Sequence, residues 1–253
     1  MTVTTRSAMF YMSALAFAAF FVWGMLRLPA FGYYQGPYGD VINSFVVFER
    51  HATDAVTAIN FDYRGVDTVG EEFILFASVT GVALLLRERR DESASEERAR
   101  VAEGRAGQTS SGVKVLALAV AAPSALYGWY IVSHGQLSPG GGFQGGVIMA
   151  SAAIFLYVSG EYLALRHMNP ISLLELADAA GAGGYVVVGL AGLIASGTFL
   201  LNVLPLGTTG EVDSSGTILA ISIAVGLEVA AAFVLLMMEF LEQTLEIRQR
   251  RRV

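Results

Sequence analysis

Apolar and polar positions along the chain are segregated into long blocks. No charged side chain falls between Arg6 and Arg27, between Lys114 and Glu161, or between Asp178 and Glu211. Each block reaches or exceeds the roughly 20 residues that carry a helix across a hydrocarbon core. Hydrocarbon offers no partner to an unpaired backbone group, so every span is predicted to be helical. Six spans are expected, over residues 7–26, 67–86, 114–133, 141–160, 182–203 and 217–239. The predicted fold class is all-α, a polytopic membrane protein with two spans followed by four.

The first block, Ser7 to Leu26, is longer than the about 7 to 15 residues of a signal-peptide core, and Arg27-Leu28-Pro29 is a poor cleavage site. It reads as a retained span. Between the second and third spans the pattern changes: Arg87, Arg89, Arg90, Arg98, Arg100 and Arg105 stand among glutamates and small residues with almost nothing apolar to bury. That is the composition of a solvated linker. Residues 1–86 therefore read as a two-span module, 87–112 as a charged linker, and 113–253 as a four-span module with a basic tail.

Orientation follows from the basic residues. With a cytoplasmic N-terminus, that side receives Arg6, the linker arginines, Lys114, Arg166, Arg248, Arg250, Arg251 and Arg252, which is 13 of the 16 basic residues. Arg27, Arg50 and Arg64 remain opposite. This asymmetry places both termini in the cytoplasm and Trp23 and Trp129 near the outer interface, where aromatic rings are favoured. The outer loop between the first two spans carries Phe45, Phe48, Ala52, Val56 and Ile59 at three- and four-residue spacing, which predicts one amphipathic helix. Glycines crowd the fifth span, at 181, 183, 184, 189, 192 and 197, and small residues let helices approach closely in lipid. No internal repeat is visible.

Composition agrees with lipid. Hydrophobic residues make up 54% of the 253 and charged residues 15%, against about 25% charge in soluble domains. The net charge of −6 and the clustering of arginines at span edges argue against a nucleic-acid partner. With no cysteine, the chain offers no thiolate for an iron–sulfur cluster, a Cys-based zinc site or a disulfide. His51, His134 and His167 are too scattered for a metal site, and no nucleophile arrangement marks an enzyme. No cofactor is expected.

Three places carry candidate chemistry. The first is Asp62-Tyr63-Arg64-Gly65-Val66-Asp67-Thr68-Val69-Gly70-Glu71-Glu72. The uncharged run from Phe73 to Leu86 is only 14 residues, too short to cross alone, so one or both glutamates must enter the apolar region. Glu71 would lie about 6 Å inside the outer end of its helix, partly desolvated and a candidate proton or cation site. The structural alternative is that Glu71 and Glu72 favour the positive end of the helix dipole.

The second place is His134-Gly135-Gln136-Leu137-Ser138-Pro139-Gly140-Gly141-Gly142-Phe143-Gln144-Gly145-Gly146. No Lys-Ser or Lys-Thr follows, so it is not a phosphate loop. Its glycines suit tight turning and close backbone approach. The third is Glu228, the one charge near the centre of a predicted span, which should face the bundle or a partner. Both a functional role and a structural hydrogen bond fit it.

The glycine stretch from Ser138 to Gly146 resembles the signature of the MnhB component of Mrp-type Na⁺/H⁺ antiporters, and the spans from Lys114 onward resemble that component in length and layout. The stretch from Asp62 to Glu71 resembles the two-span E-type module of membrane-bound hydrogenases, which also closes the large A-type component of the antiporters. Here the two parts adjoin without the proton-pumping part of that large component. The resemblance implies a transporter subunit of the plasma membrane, with no enzymatic activity of its own. It would work beside A, C, D, E, F and G type subunits and exchange Na⁺ for H⁺. By the same resemblance Glu71 belongs to the cation path, with Asp67 and Arg64 near it. Redox-driven complexes of the hydrogenase type use the same parts, so that reading stands beside the antiporter.

Overall fold

The computed structural model describes residues 3–28, 32, 36–86, 110–159, 165 and 170–250. Its helices are α1 (Val3–Met25), α2 (Pro37–Arg50), α3 (Ala55–Ala58), α4 (Gly65–Leu86), α5 (Ser111–Ser133), α6 (Gly142–Val158), α7 (Ile171–Ser196) and α8 (Thr217–Arg250). A π-helical turn, Ile59–Tyr63, joins α3 to α4. Among the described residues there is no strand. Among the described residues five helices are long and apolar enough to cross a membrane, while α6 is apolar but has 17 residues. Residues 87–109 of the charged linker, Arg166, His167 and residues 251–253 lie outside the described residues.

The chain forms two compact units, Met1–Ile42 and Asn43–Val253. In the first unit, α1 exposes apolar side chains all round, among them Phe10, Leu15, Phe17 and Phe21. A helix apolar on every face suits a lipid or protein environment, not water.

In the second unit α8 is central and touches α4, α5, α6 and α7. Ile218, Ile221, Val225 and Val229 are fully buried along it. Its neighbours come close because small residues face it. A Cβ on Gly146 would stand 2.9 Å from the Gly226 carbonyl oxygen, and one on Gly145 would stand 2.6 Å from the Gly128 carbonyl oxygen of α5. The glycine stretch thus wedges α6 between α5 and α8 at backbone contact, the packing that holds helices together where lipid is as apolar as leucine. Ser222 Oγ adds a buried hydrogen bond, donating to the Val132 carbonyl at 2.7 Å.

One end of this unit is closed by a hydrogen-bonded cap of loops. The amides of Thr53 and Asp54 donate to the Gln136 carbonyl at 3.0 and 3.1 Å, and Gln136 Nε2 donates to the Val212 carbonyl at 2.7 Å. Asn202 Nδ2 donates to the Ser215 carbonyl at 2.9 Å while its Oδ1 accepts from the Thr217 amide at 2.9 Å. The start of α4, the end of α5 and the start of α8 are therefore held at one end, and consecutive helices run antiparallel. Gln136 is fully buried. Gln136→Ala strands the Val212 carbonyl and should cost about 1 to 3 kcal/mol, read as a lower thermal midpoint of the purified protein.

Two expectations are corrected. The single amphipathic helix is broken: α2 stops at Arg50, His51 takes a positive φ of 52°, and a new helix starts after Asp54. Asp54 caps that helix by accepting from the Val56 amide at 3.1 Å and the Thr57 hydroxyl at 2.7 Å. The stripe is lost with it, since Phe48 is 81% exposed while Ala52 is buried. The fifth span starts at Ile171, not 182, and stops at Ser196, where Gly197 at φ 78° turns the chain. Asp178 therefore lies inside a membrane helix.

Candidate functional site

The sequence around α4 sets up the site. The π turn is held to the helix by Thr68 Oγ1, which donates to the Asn60 carbonyl at 2.9 Å. Tyr185 Oη of α7 donates to the Gly65 carbonyl at 2.9 Å. The approach is tight there, since a Cβ on Gly65 would stand 3.2 Å from the Leu200 side chain. π turns leave backbone groups out of the regular ladder and recur at functional positions.

Beside this turn lies a cavity of about 230 Å³. Thr57 and Asn60 come to it from the α3 segment and π turn, Glu71 and Glu72 from α4, and Gly140, Phe143 and Gln144 from the glycine stretch. The two motifs, some seventy residues apart in sequence, meet at one polar space. Glu71 is exposed and Glu72 is 2% exposed. Glu72 Oε2 has no hydrogen-bond partner. Seven residues into α4 from Gly65, it sits about 10 Å from that end.

Two more carboxyl groups are buried in the same unit. Glu228 of α8 is 0% exposed and Asp178 of α7 is 3% exposed. Both oxygens of Glu228 and Oδ1 of Asp178 lack partners. Glu228 lies within electrostatic reach of both Glu72 and Asp178. It packs on Gly181, where a Cβ would meet the Glu228 backbone nitrogen at 2.6 Å. No described basic side chain forms an ion pair with any of the three. Among the described residues no three His, Cys, Asp or Glu groups stand close enough to hold a metal ion together.

The remaining candidates take other places. Arg64 and Asp67 pair with each other on the surface, an exposed interaction of small energetic weight. His134 stacks on Tyr130 with ring centroids 4.1 Å apart, and its Nδ1 is 3.0 Å from the Tyr130 carbonyl, which finishes α5. Ser138 Oγ donates to the His134 carbonyl at 3.4 Å and Pro139 is exposed. Gly141 takes φ 122° just before α6, and Gly142, Gly145 and Gly146 are buried in the helix contacts. Phe143 meets Phe233 edge-on at 6.3 Å.

A second polar cluster stands at the cap. Arg50 Nε is 2.8 Å from Asp62 Oδ2, which also accepts from Asn202 Nδ2 at 3.1 Å. Tyr63 Oη donates to Glu49 Oε2 at 3.1 Å, and burial together with that hydrogen bond pushes the phenol up to about 12. Its folded value lies above the ordinary one of about 10, so its contribution to stability is complete below about pH 10 and is lost as pH rises through about 12.

Several known proteins resemble this chain. Residues 112–235 match a family model described as a domain related to the MnhB subunit of Na⁺/H⁺ antiporter. An uncharacterized protein of Methanocaldococcus jannaschii is 29% identical over 230 residues, covering 84% of this chain and 86% of that protein. A chain of the membrane-bound sulfane sulfur reductase, an archaeal respiratory membrane complex, superposes with a TM-score of 0.69 at 28% identity, over 94% of this chain and 98% of that one. A chain of the Mrp complex from Dietzia sp. DQ12-45-1b superposes with a TM-score of 0.67 at 22% identity, over 92% of this chain and 26% of that one. This second likeness is one of fold, and the present chain spans about a quarter of that neighbour's length.

Proposed function

From the MnhB-like domain at 112–235, we propose that this chain is a membrane-embedded subunit of a multisubunit Mrp-type cation/proton antiporter that exchanges Na⁺ for H⁺ across the plasma membrane. The observation that carries this reading is the meeting of the α4 glutamates with the glycine stretch at one polar cavity. In this reading the capped end of the bundle faces outward. Ions enter beside Glu71, and Glu72 is the first buried group to receive a proton or cation. Residues 1–86 act as the E-like part, and the exposed apolar faces dock A, C, D, E, F and G type subunits.

A second reading has its own support. The likeness to a chain of a respiratory membrane complex covers 98% of that chain, which favours a redox-driven arm built from the same parts. Everted vesicles from an antiporter-deficient bacterium separate the two. Na⁺-dependent dissipation of ΔpH should appear with the complete gene cluster and vanish when this chain alone is deleted. An assembled complex that exchanges no Na⁺, yet acidifies vesicles when given an electron donor, places the chain in the redox-driven class.

A further inference from the structure

We propose that Glu72, Glu228 and Asp178 form a proton-carrying row that crosses the Asn43–Val253 unit at one level, from the cavity beside α4 to α7. The proposal rests on the ion-translocating reading above and adds two residues, Glu228 and Asp178, and a direction to it.

The common level follows from the apolar cluster beneath the row. Val79 of α4 packs there with Ala232 and Leu235 of α8, and Ile171 and Leu174 of α7 pack against them. Val79 lies seven residues from Glu72, Ala232 and Leu235 lie four and seven from Glu228, and Leu174 and Ile171 lie four and seven from Asp178. Each carboxyl group is thus about 6 to 10 Å from the same cluster along its own helix. All three are displaced toward the capped end.

Chemistry selects a proton as the cargo. The row offers no joint chelate for a metal ion among the described residues, and no described cation is paired with it. Burying unpaired carboxylates in an apolar interior is costly, and acidic groups inside membrane helices mark proton relays. Among the described residues no basic side chain pairs with the row. Glu71 and the Tyr185 hydroxyl are the further titratable groups near Glu72, while α6 carries no charged residue and α5 carries only Lys114, in its first turn away from the cap. In each step an O–H bond breaks on one carboxylic acid as another forms on the next carboxylate, directly or through a water. Glu72 is refilled from the cavity, and Asp178 gives its proton to water or to a base of a neighbouring protein packed on α7.

The test uses the complete complex in everted vesicles, with assembly checked on native gels. Asp178→Asn and Glu228→Gln should each lower proton movement about tenfold or more, because a positioned proton carrier supplies roughly a hundredfold or more in proton transfer. Asp178→Glu should restore it. Dicyclohexylcarbodiimide, which modifies protonated carboxyls in apolar surroundings, should label Glu228 and Asp178 of the wild-type complex, less so at alkaline pH. Wild-type rates in both amide variants overturn the row while leaving the antiporter reading intact. If instead the complex is redox-driven and Asp178→Asn depresses that pumping, the row stands and the antiporter reading falls. Should a variant fail to assemble, labelling decides: adducts on both residues support the row, and their absence at every pH overturns it.

Discussion

Glu72→Gln should abolish most ion exchange, by about a hundredfold, in a complex that still assembles. The substitution keeps the side chain's size and the helix contacts but removes the proton that the carboxyl group can take up or release, and loss of such a group costs roughly 10² or more in proton-transfer chemistry. Glu72 is the buried carboxyl group on the wall of the cavity, whereas Glu71 borders the same cavity from an exposed position. Glu71→Gln should therefore lower the rate only several-fold, because water and neighbouring groups replace an exposed carboxylate more readily than a buried one. The comparison is made by fluorescence quenching in everted vesicles at matched complex levels. A Glu72→Gln complex that exchanges at the wild-type rate removes the cavity from the path.

The second large effect is on stability. Gly145→Val places a branched side chain where a single Cβ would already stand 2.6 Å from the Gly128 carbonyl oxygen and 2.8 Å from the Val132 amide nitrogen. Both obstacles are backbone, so α5 and α6 must separate, and overpacking of this kind costs about 3 kcal/mol. Gly183→Ala is the matched control: nothing lies within 4 Å of its Cβ position, and an exposed substitution of that kind should stay within about 0.5 kcal/mol. Thermal unfolding of the detergent-solubilised complex should show a large fall for the first and almost none for the second. Equal midpoints would mean that the two helices do not need their backbone contact.

The same two motifs show how far the sequence is readable. Charge-free runs locate helices because lipid tolerates few alternatives, and the start of α4 near the acidic stretch follows from counting back from Arg87. The glycine stretch is readable as a packing element through its composition. Which of Glu71 and Glu72 points inward depends on the rotation of α4 about its axis, a quantity set by Tyr185 and Thr68 contacts from distant or local partners.

Asp178 escapes a reading by charge-free runs for a related reason. A charged residue ends such a run, yet Leu176-Ala177-Asp178-Ala179-Ala180-Gly181 is a lone acid in a small-residue stretch, with Gly181 one turn on and packed against Glu228. That pattern is the available signal. The break after α2 is hidden differently. Apolar spacing continues through His51, but the capping side chain of Asp54 and the Arg50–Asp62 pair stop one helix and start another. The cap itself joins residues more than seventy apart, such as Gln136 and Val212, which no local pattern reports.

The common level of Glu72, Glu228 and Asp178 has an electrical meaning. Carrying one elementary charge through the full membrane potential involves about 2.3 kcal/mol per 100 mV. A proton passed between groups at the same depth travels parallel to the membrane plane and crosses almost none of that drop. Voltage therefore neither drives nor opposes the lateral step, and any potential dependence of turnover must arise where the proton enters beside Glu72 or leaves beyond Asp178.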